Sequence, residues 1–256
     1  MMQTPNLLAL DFDGVICDGL LEYFQTAWRA YCQLWHPDNT PPTEELAQTF
    51  YRLRPVVETG WEMPVLIHAL ESGFSEAAIL QEWPNLALEL LHHHRLNPKE
   101  VGAIVDGIRD RWIVQDLSSW LGEHRFYTGV IDRLKATENF VIISTKEARF
   151  IRQLLQQQGI DIQDEQLFGK EKQRPKYEIL RQLKPQYETI WFIEDRLKTL
   201  QMIEQHPELT NVELFLADWG YNLSRDREIA QHSDRLKLLS LDQFHQPCDR
   251  WIGESA

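Results

Sequence analysis

An apolar run, Leu7–Leu10, stops abruptly at two aspartates one residue apart and a glycine: Asp11-Phe12-Asp13-Gly14. Carboxylates this close repel, and each is driven toward its neutral form unless positive charge stands nearby. The pattern recurs along the chain. A second apolar run, Phe140–Ile143, stops at Ser144-Thr145, and a third, Ile190–Ile193, stops at Glu194-Asp195. In open α/β sheets, ligands bind just beyond the carboxyl ends of the strands. Side by side, three such runs would bring the acids Asp11, Asp13, Glu194 and Asp195 and two hydroxyls to one edge. Oxygen donors of that kind suit a hard cation, Mg²⁺ first among them, whose charge offsets the repulsion and keeps the acids ionised.

For that edge to exist, the runs must be neighbouring parallel strands. Leu7–Leu10, Phe140–Ile143, Ile190–Ile193 and Val212–Leu216 read as buried strands, with a weaker one at Gln166–Phe168. Helical patterns lie between the later ones. The alternation predicts an α/β fold, a doubly wound parallel sheet with helices on both faces. Between the first run and the second, no segment carries a strand signal. Leu20, Leu21, Phe24, Ala27, Trp28, Tyr31, Cys32 and Trp35 follow one helical stripe. Pro41-Pro42 breaks the chain, and Thr43 with Glu44 and Glu45 starts another helix. Asn97, Pro98 and Glu100 supply a cap, a first-turn proline and an acid that reaches back to the cap. The block holds most of the tryptophans and is too long for a crossover helix. It is expected to be an inserted all-helical domain over 19–125, with 1–18 and 126–256 forming the α/β core.

The chain has 256 residues and a formal net charge of −13. An acidic surface repels phosphate backbones and anionic lipids, which argues against nucleic acid and membranes as partners. The three cysteines, Cys17, Cys32 and Cys248, show no paired spacing, as expected in a reducing compartment. Asp11 ends the first apolar run too early for a signal peptide or membrane span, so a cytoplasmic location is expected. Asn222-Leu223-Ser224 is then a chance match to a glycosylation acceptor. His92-His93-His94 invites a metal reading, but successive residues face different sides of a helix, and the tract is taken as surface.

The ordered set of motifs resembles the haloacid-dehalogenase-like hydrolase superfamily, most of whose members are Mg²⁺-dependent phosphatases. "DFDGV" matches its first motif, "VIIST" its second, a lysine at a helix start its third and the acidic pair its fourth. "FYTGVIDRL" and "LADWGY" are similar to the phosphoglycolate-phosphatase-like branch, although Thr128 stands where that branch usually has proline. The resemblance implies that Asp11 is the nucleophile that accepts the phosphoryl group. Asp13 would protonate the leaving oxygen and then serve as base for the hydrolytic water. Ser144 would hydrogen-bond a phosphoryl oxygen, and Asp11, Asp13, Glu194 and Asp195 would hold Mg²⁺. The third-motif lysine is read as Lys176, before Tyr177-Glu178-Ile179-Leu180, with Arg174 as the alternative cation; Lys170 and Lys172 are read as loop charges. Thr199 stands where many members carry a further acid.

The implied function is hydrolysis of small phosphate monoesters, with phosphoglycolate a candidate substrate and a cap expected to close over the site and exclude water. A phosphomutase would keep the same motifs, and a regulatory protein on the same scaffold would keep the fold. The core motifs handle only the phosphoryl group, so selectivity is assigned to the cap. There Arg52, Arg54 and Trp61, with Thr145 from the core, are the candidates for substrate contact. Arginine's planar fork suits a carboxylate on the leaving group, and Arg54, beside Pro55, is the first choice. The competing reading pairs these arginines with nearby glutamates on the surface.

Overall fold

The computed structural model describes residues 4–36 and 40–251. They form two compact units: one holds the residues through Asp18 and those from Arg125 onward, the other Gly19–His124.

In chain order the strands are β1 (Leu7–Leu10), β2 (Cys17–Asp18), β3 (Arg125–Phe126), β4 (Phe140–Ile143), β5 (Leu167–Phe168), β6 (Ile190–Glu194), β7 (Val212–Ala217) and β8 (Leu236–Leu239). β2 and β3 pair antiparallel as a small ribbon. The other six make one parallel sheet in the order β5-β4-β1-β6-β7-β8. The chain therefore adds strands on one side of β1, then returns and builds the other side. The reversal point is the carboxyl edge of β1, between β4 and β6, where a ligand crevice opens in such sheets. Register fixes what meets there. Leu10 lies opposite Ile142 and Ile193, so Asp11 comes level with Glu194.

β1 and β6 are buried throughout, as their unbroken apolar runs require. Successive residues point to opposite faces. On one face, Leu7, Ala9, Val141, Phe192 and Leu214 pack with Ile179 and Leu180 of one helix and Leu200 and Ile203 of another. On the other, the rings of Trp191, Phe215, Phe244 and Trp251 pack against one another in tilted and edge-on contacts. β8 escaped the sequence reading because Leu236-Lys237-Leu238-Leu239 is a short edge strand with a charge in it.

The second unit contains α1 (Leu20–Trp35), α2 (Glu44–Leu53), α3 (Glu62–Glu71), α4 (Glu76–His93), α5 (Pro98–Gln115) and α6 (Leu117–Gly122). Its helix starts are set by local chemistry. The Thr43 hydroxyl accepts from Leu46 N–H, and Asn97 and Glu100 form a reciprocal capping box. Tyr23, Phe24, Ala27, Ala30, Tyr31 and Cys32 are buried, while Leu20, Leu21, Trp28 and Trp35 of the expected stripe are only half-buried. The stripe also hides an acid. Glu22 is fully buried, and Arg109 of α5 forks onto it, Nε to Oε1 at 2.8 Å and Nη2 to Oε2 at 3.1 Å. The Thr26 hydroxyl donates to the same carboxylate at 2.7 Å.

This pair generates a stability prediction. Removing one member of a buried, hydrogen-bonded ion pair strands the other and typically costs about 3–5 kcal/mol, whereas replacing both by apolar residues is often near neutral. Arg109→Leu should therefore unfold at markedly lower urea than wild type, and Glu22→Leu/Arg109→Leu should recover most of the loss. If the double variant is as unstable as the single, the fork is not what joins α1 to α5.

Candidate active site

The four candidate acids are placed by strand ends or by the turns that come after them. Asp11 follows β1, and its N–H donates to Ile193 O of β6 at 2.9 Å. The next N–H, of Phe12, donates to Asp11 Oδ1 at 2.7 Å. Glu194 is the last residue of β6, and Asp195 is the first of the turn beyond it. The oxygens of Asp11, Glu194 and Asp195 lie within 4.8 Å of one another, and all three residues are buried.

One cation is built into this cluster. Helix α7 (Lys176–Leu183) begins with Lys176, whose ammonium lies 2.8 Å from Asp11 Oδ2 and 2.7 Å from Glu194 Oε2. A helix N-terminus disfavours positive charge by tenths of a kcal/mol, and two carboxylates at contact distance outweigh that. Burial pulls the lysine toward neutrality, but Asp11 and Glu194 more than offset it and hold the ammonium charged. Arg174, the alternative cation, donates instead to Gln182 Oε1 at 3.0 Å.

Lys176 alone does not balance the acids. Desolvation lifts Asp11 to a pKa of about 7 despite Lys176, with Glu194 and Asp13 pushing the same way. Desolvation likewise raises Glu194 and Asp195, each aided by a neighbouring carboxylate. Lys176, with Arg196 acting on Asp195, leaves all three acids above their usual values, so the cluster still lacks positive charge, and every donor atom is a carboxylate oxygen. A hard divalent cation fits that donor set and that deficit.

The loop after β7 fixes the third acid. Tyr221 N–H donates to Asp195 Oδ2 at 2.8 Å, and the Asn222 amide donates to Asp195 O at 3.1 Å. Two glycines let these segments meet. A Cβ on Gly14, whose φ is +83°, would collide with the Asp195 carboxylate, and one on Gly220 would collide with Asp195 Cβ.

Asp13 stands apart from the three-acid cluster. Its Oδ1 lies 3.1 Å from the Lys146 ammonium, whose side chain is 7% exposed. Lys146 was missed in the sequence, where it follows Ser144-Thr145 and reads as an ordinary loop charge. Ser144 is buried, with its N–H on Phe168 O and its Oγ accepting from Lys146 N–H at 3.2 Å. Thr145 is exposed.

The remaining candidates belong to the helical unit. Arg52 is exposed and pairs with Glu76, as the competing surface reading holds. Arg54 donates to Val57 O at 2.8 Å and lies over the Tyr23 ring at 5.0 Å. Trp61, half-buried, precedes α3. Glu62 beside it is buried and accepts from Glu58 N–H, from Thr59 N–H and hydroxyl, and from the Trp83 indole.

A family model for haloacid dehalogenase-like hydrolases matches residues 5–206. With the parallel sheet and the acids at its switch point, the chain belongs to the haloacid dehalogenase-like hydrolase family. Solved structures share the fold at low identity. One is a Haemophilus somnus 129pt protein described as a predicted phosphoglycolate phosphatase (TM-score 0.56, 12% identity, 96% of this chain and 97% of that one). Another is a haloacid dehalogenase-like family protein from Streptococcus pneumoniae (TM-score 0.51, 13% identity, 92% and 93%). A third is Protein Tyrosine Kinase A of Mycobacterium tuberculosis (TM-score 0.55, 15% identity, 94% and 96%). No curated protein sequence matches the chain. Among the described residues, no helix is long and apolar enough to cross a membrane.

The glycine clamp is testable without any substrate. Overpacking a filled site costs about 1–3 kcal/mol, so Gly220→Ala should lower the urea midpoint by a corresponding amount. Gly122→Ala, where nothing lies within 4 Å of the new methyl, should not. Equal effects at the two positions would contradict the clamp on Asp195.

Proposed function

We propose that the protein is a Mg²⁺-dependent phosphatase that hydrolyses a small phosphate monoester by way of a phosphoryl group carried on Asp11. The observation that carries this reading is the Asp11 carboxylate, buried at the end of the central strand beside Lys176, Glu194 and Asp195. Phosphoryl transfer asks for little covalent machinery. It needs an aligned nucleophile and positive charge around the dispersed negative charge of the transferring group.

In this reading an Asp11 oxygen attacks phosphorus while the bond to the leaving oxygen breaks, and Asp13 gives that oxygen its proton. Asp13 then takes a proton from water, whose oxygen attacks the phosphorus of the aspartyl phosphate and frees Asp11. Lys146 holds Asp13 in place, and Ser144 donates to a phosphoryl oxygen. Lys176 favours the ionised form of Asp11 and orients it. The acids of the cluster, Asp11, Glu194 and Asp195, would hold Mg²⁺, which supplies charge neutralisation at the transferring group. Asp13, expected from the sequence as a fourth metal ligand, keeps its carboxylate for proton transfer.

Among substrates, phosphorylated small acids come first. One structural relative is described as a predicted phosphoglycolate phosphatase, and Arg54 is proposed as the residue that meets the acid. A location in the cytoplasm accords with unpaired cysteines.

A screen of phosphorylated metabolites with Mg²⁺ or with chelator tests the reading. Turnover should appear only with metal and should vanish in Asp11→Asn, whose amide matches the carboxylate in size but does not attack phosphorus. Asp13→Asn should lose roughly 10²–10⁴-fold, the range of a general acid–base group. Asp195→Ala should raise the Mg²⁺ requirement. Metal-independent turnover, or a clean Asp11→Asn preparation with near wild-type rates, would overturn the proposal.

A further inference from the structure

The histidine tract does not behave as three surface residues. His92 and His93 are exposed, but His94, which caps the end of α4, turns onto the helical unit and is half-buried. Its Nε2 lies 2.9 Å from Nε2 of His68, in the last turn of α3. The two rings are nearly perpendicular, at 79°, with centroids 4.6 Å apart. Trp35 of α1 stacks flat on His68, 4.5 Å between centroids and 11° between planes, and also meets the edge of His94. The aromatic packing therefore fixes both imidazoles from one side and aims their ring nitrogens at each other.

In the metal-free pair, one Nε2 must carry the proton and the other accept it. That arrangement holds a ligating lone pair and a displaceable proton in one small space. We propose that His68 and His94 form a binding site for a divalent transition cation of the zinc type, with water completing the coordination. The spacing suits it. Zinc–nitrogen bonds are about 2.0–2.1 Å, so two of them at a near-tetrahedral angle set the nitrogens about 3.3 Å apart. Opening the pair by a few tenths of an ångström, and tilting both rings so that the two Nε2 lone pairs converge on one point, meets that demand. Imidazole selects zinc, copper or nickel over Mg²⁺, so this site is chemically separate from the carboxylate cluster of the other unit. Ligation also requires neutral imidazole. Burial, with His94 and His93 beside it, lowers the pKa of His68 to about 4, leaving it neutral in ordinary buffers. A bound cation would join the ends of α3 and α4 as a staple within the helical unit.

The test is a Zn²⁺ titration by calorimetry on chelator-treated, desalted protein at neutral pH, with excess Mg²⁺ present. Losing a residue that merely supports a metal ligand costs about 10–100-fold in affinity, and losing the ligand itself should cost at least that much. Wild type should show one Zn²⁺ site that His68→Gln loses and that His92→Gln/His93→Gln retains. Binding at the carboxylates would persist in all three proteins and so is distinguishable. Circular dichroism checks that His68→Gln is folded; if it is not, His94→Gln at the helix end replaces it. A second readout is thermal unfolding, which Zn²⁺ should shift upward in wild type and not in the variant. A folded His68→Gln or His94→Gln that binds Zn²⁺ as wild type does would overturn the proposal. So would a site lost only with His92 and His93, which would assign the binding to the exposed tract.

Discussion

Three carboxylates buried at the ends of two adjacent strands cannot all remain ionised without positive charge at contact distance. That constraint organises the α/β unit. The Lys176 ammonium, between Asp11 and Glu194, meets part of it. The rest shows in the raised pKa of Asp11, which burial sets near 7 even with the lysine in place. Desolvation of this kind has no stabilising purpose of its own, because an apolar side chain at the same position would pack better. A cluster that keeps such a cost and leaves a charge deficit could hold a further cation.

The sheet supplies the geometry that makes the cluster possible. Parallel register sets Asp11 level with Glu194, and reversal of strand order at β1 opens the edge between β4 and β6. The loop after β7 then closes on Asp195 through Tyr221 N–H, with Gly14 and Gly220 giving the backbone room. The helical unit handles buried charge differently. Glu22 is matched by one bidentate arginine and one hydroxyl, so its charge is met by the chain's own groups. The contrast separates a buried acid whose charge is matched within the unit from buried acids whose charge is not.

Much of this was legible in the sequence because strands buried on both faces must be apolar throughout. Leu7–Leu10 and Phe140–Ile143 could be bounded to the residue, each stopped by the polar group that marks the sheet edge. The helix start at Pro175 was legible, but choosing Lys176 over Arg174 rested on resemblance; the fold sets the Lys176 ammonium against Asp11 and Glu194. What escaped was whatever depends on a distant partner. Glu22 looks like a surface acid until Arg109, far along the chain, folds onto it. Lys146 looks like a loop charge until Asp13 meets it. His94 sits in a tract whose neighbours face water, and only α3 reveals that its ring faces His68. Local pattern encodes elements and their ends; pairings across elements are set by the fold.

The central claim is that Asp11 carries the phosphoryl group. It is tested most directly by quenching the protein with acid during turnover of a phosphate ester, reducing with borohydride and sequencing the N-terminal peptide by mass spectrometry. An aspartyl phosphate is reduced to homoserine, so the account predicts homoserine at position 11 in substrate-treated protein and unmodified aspartate without substrate. Sustained turnover with Asp11 unmodified, or modification at another acid, would contradict it.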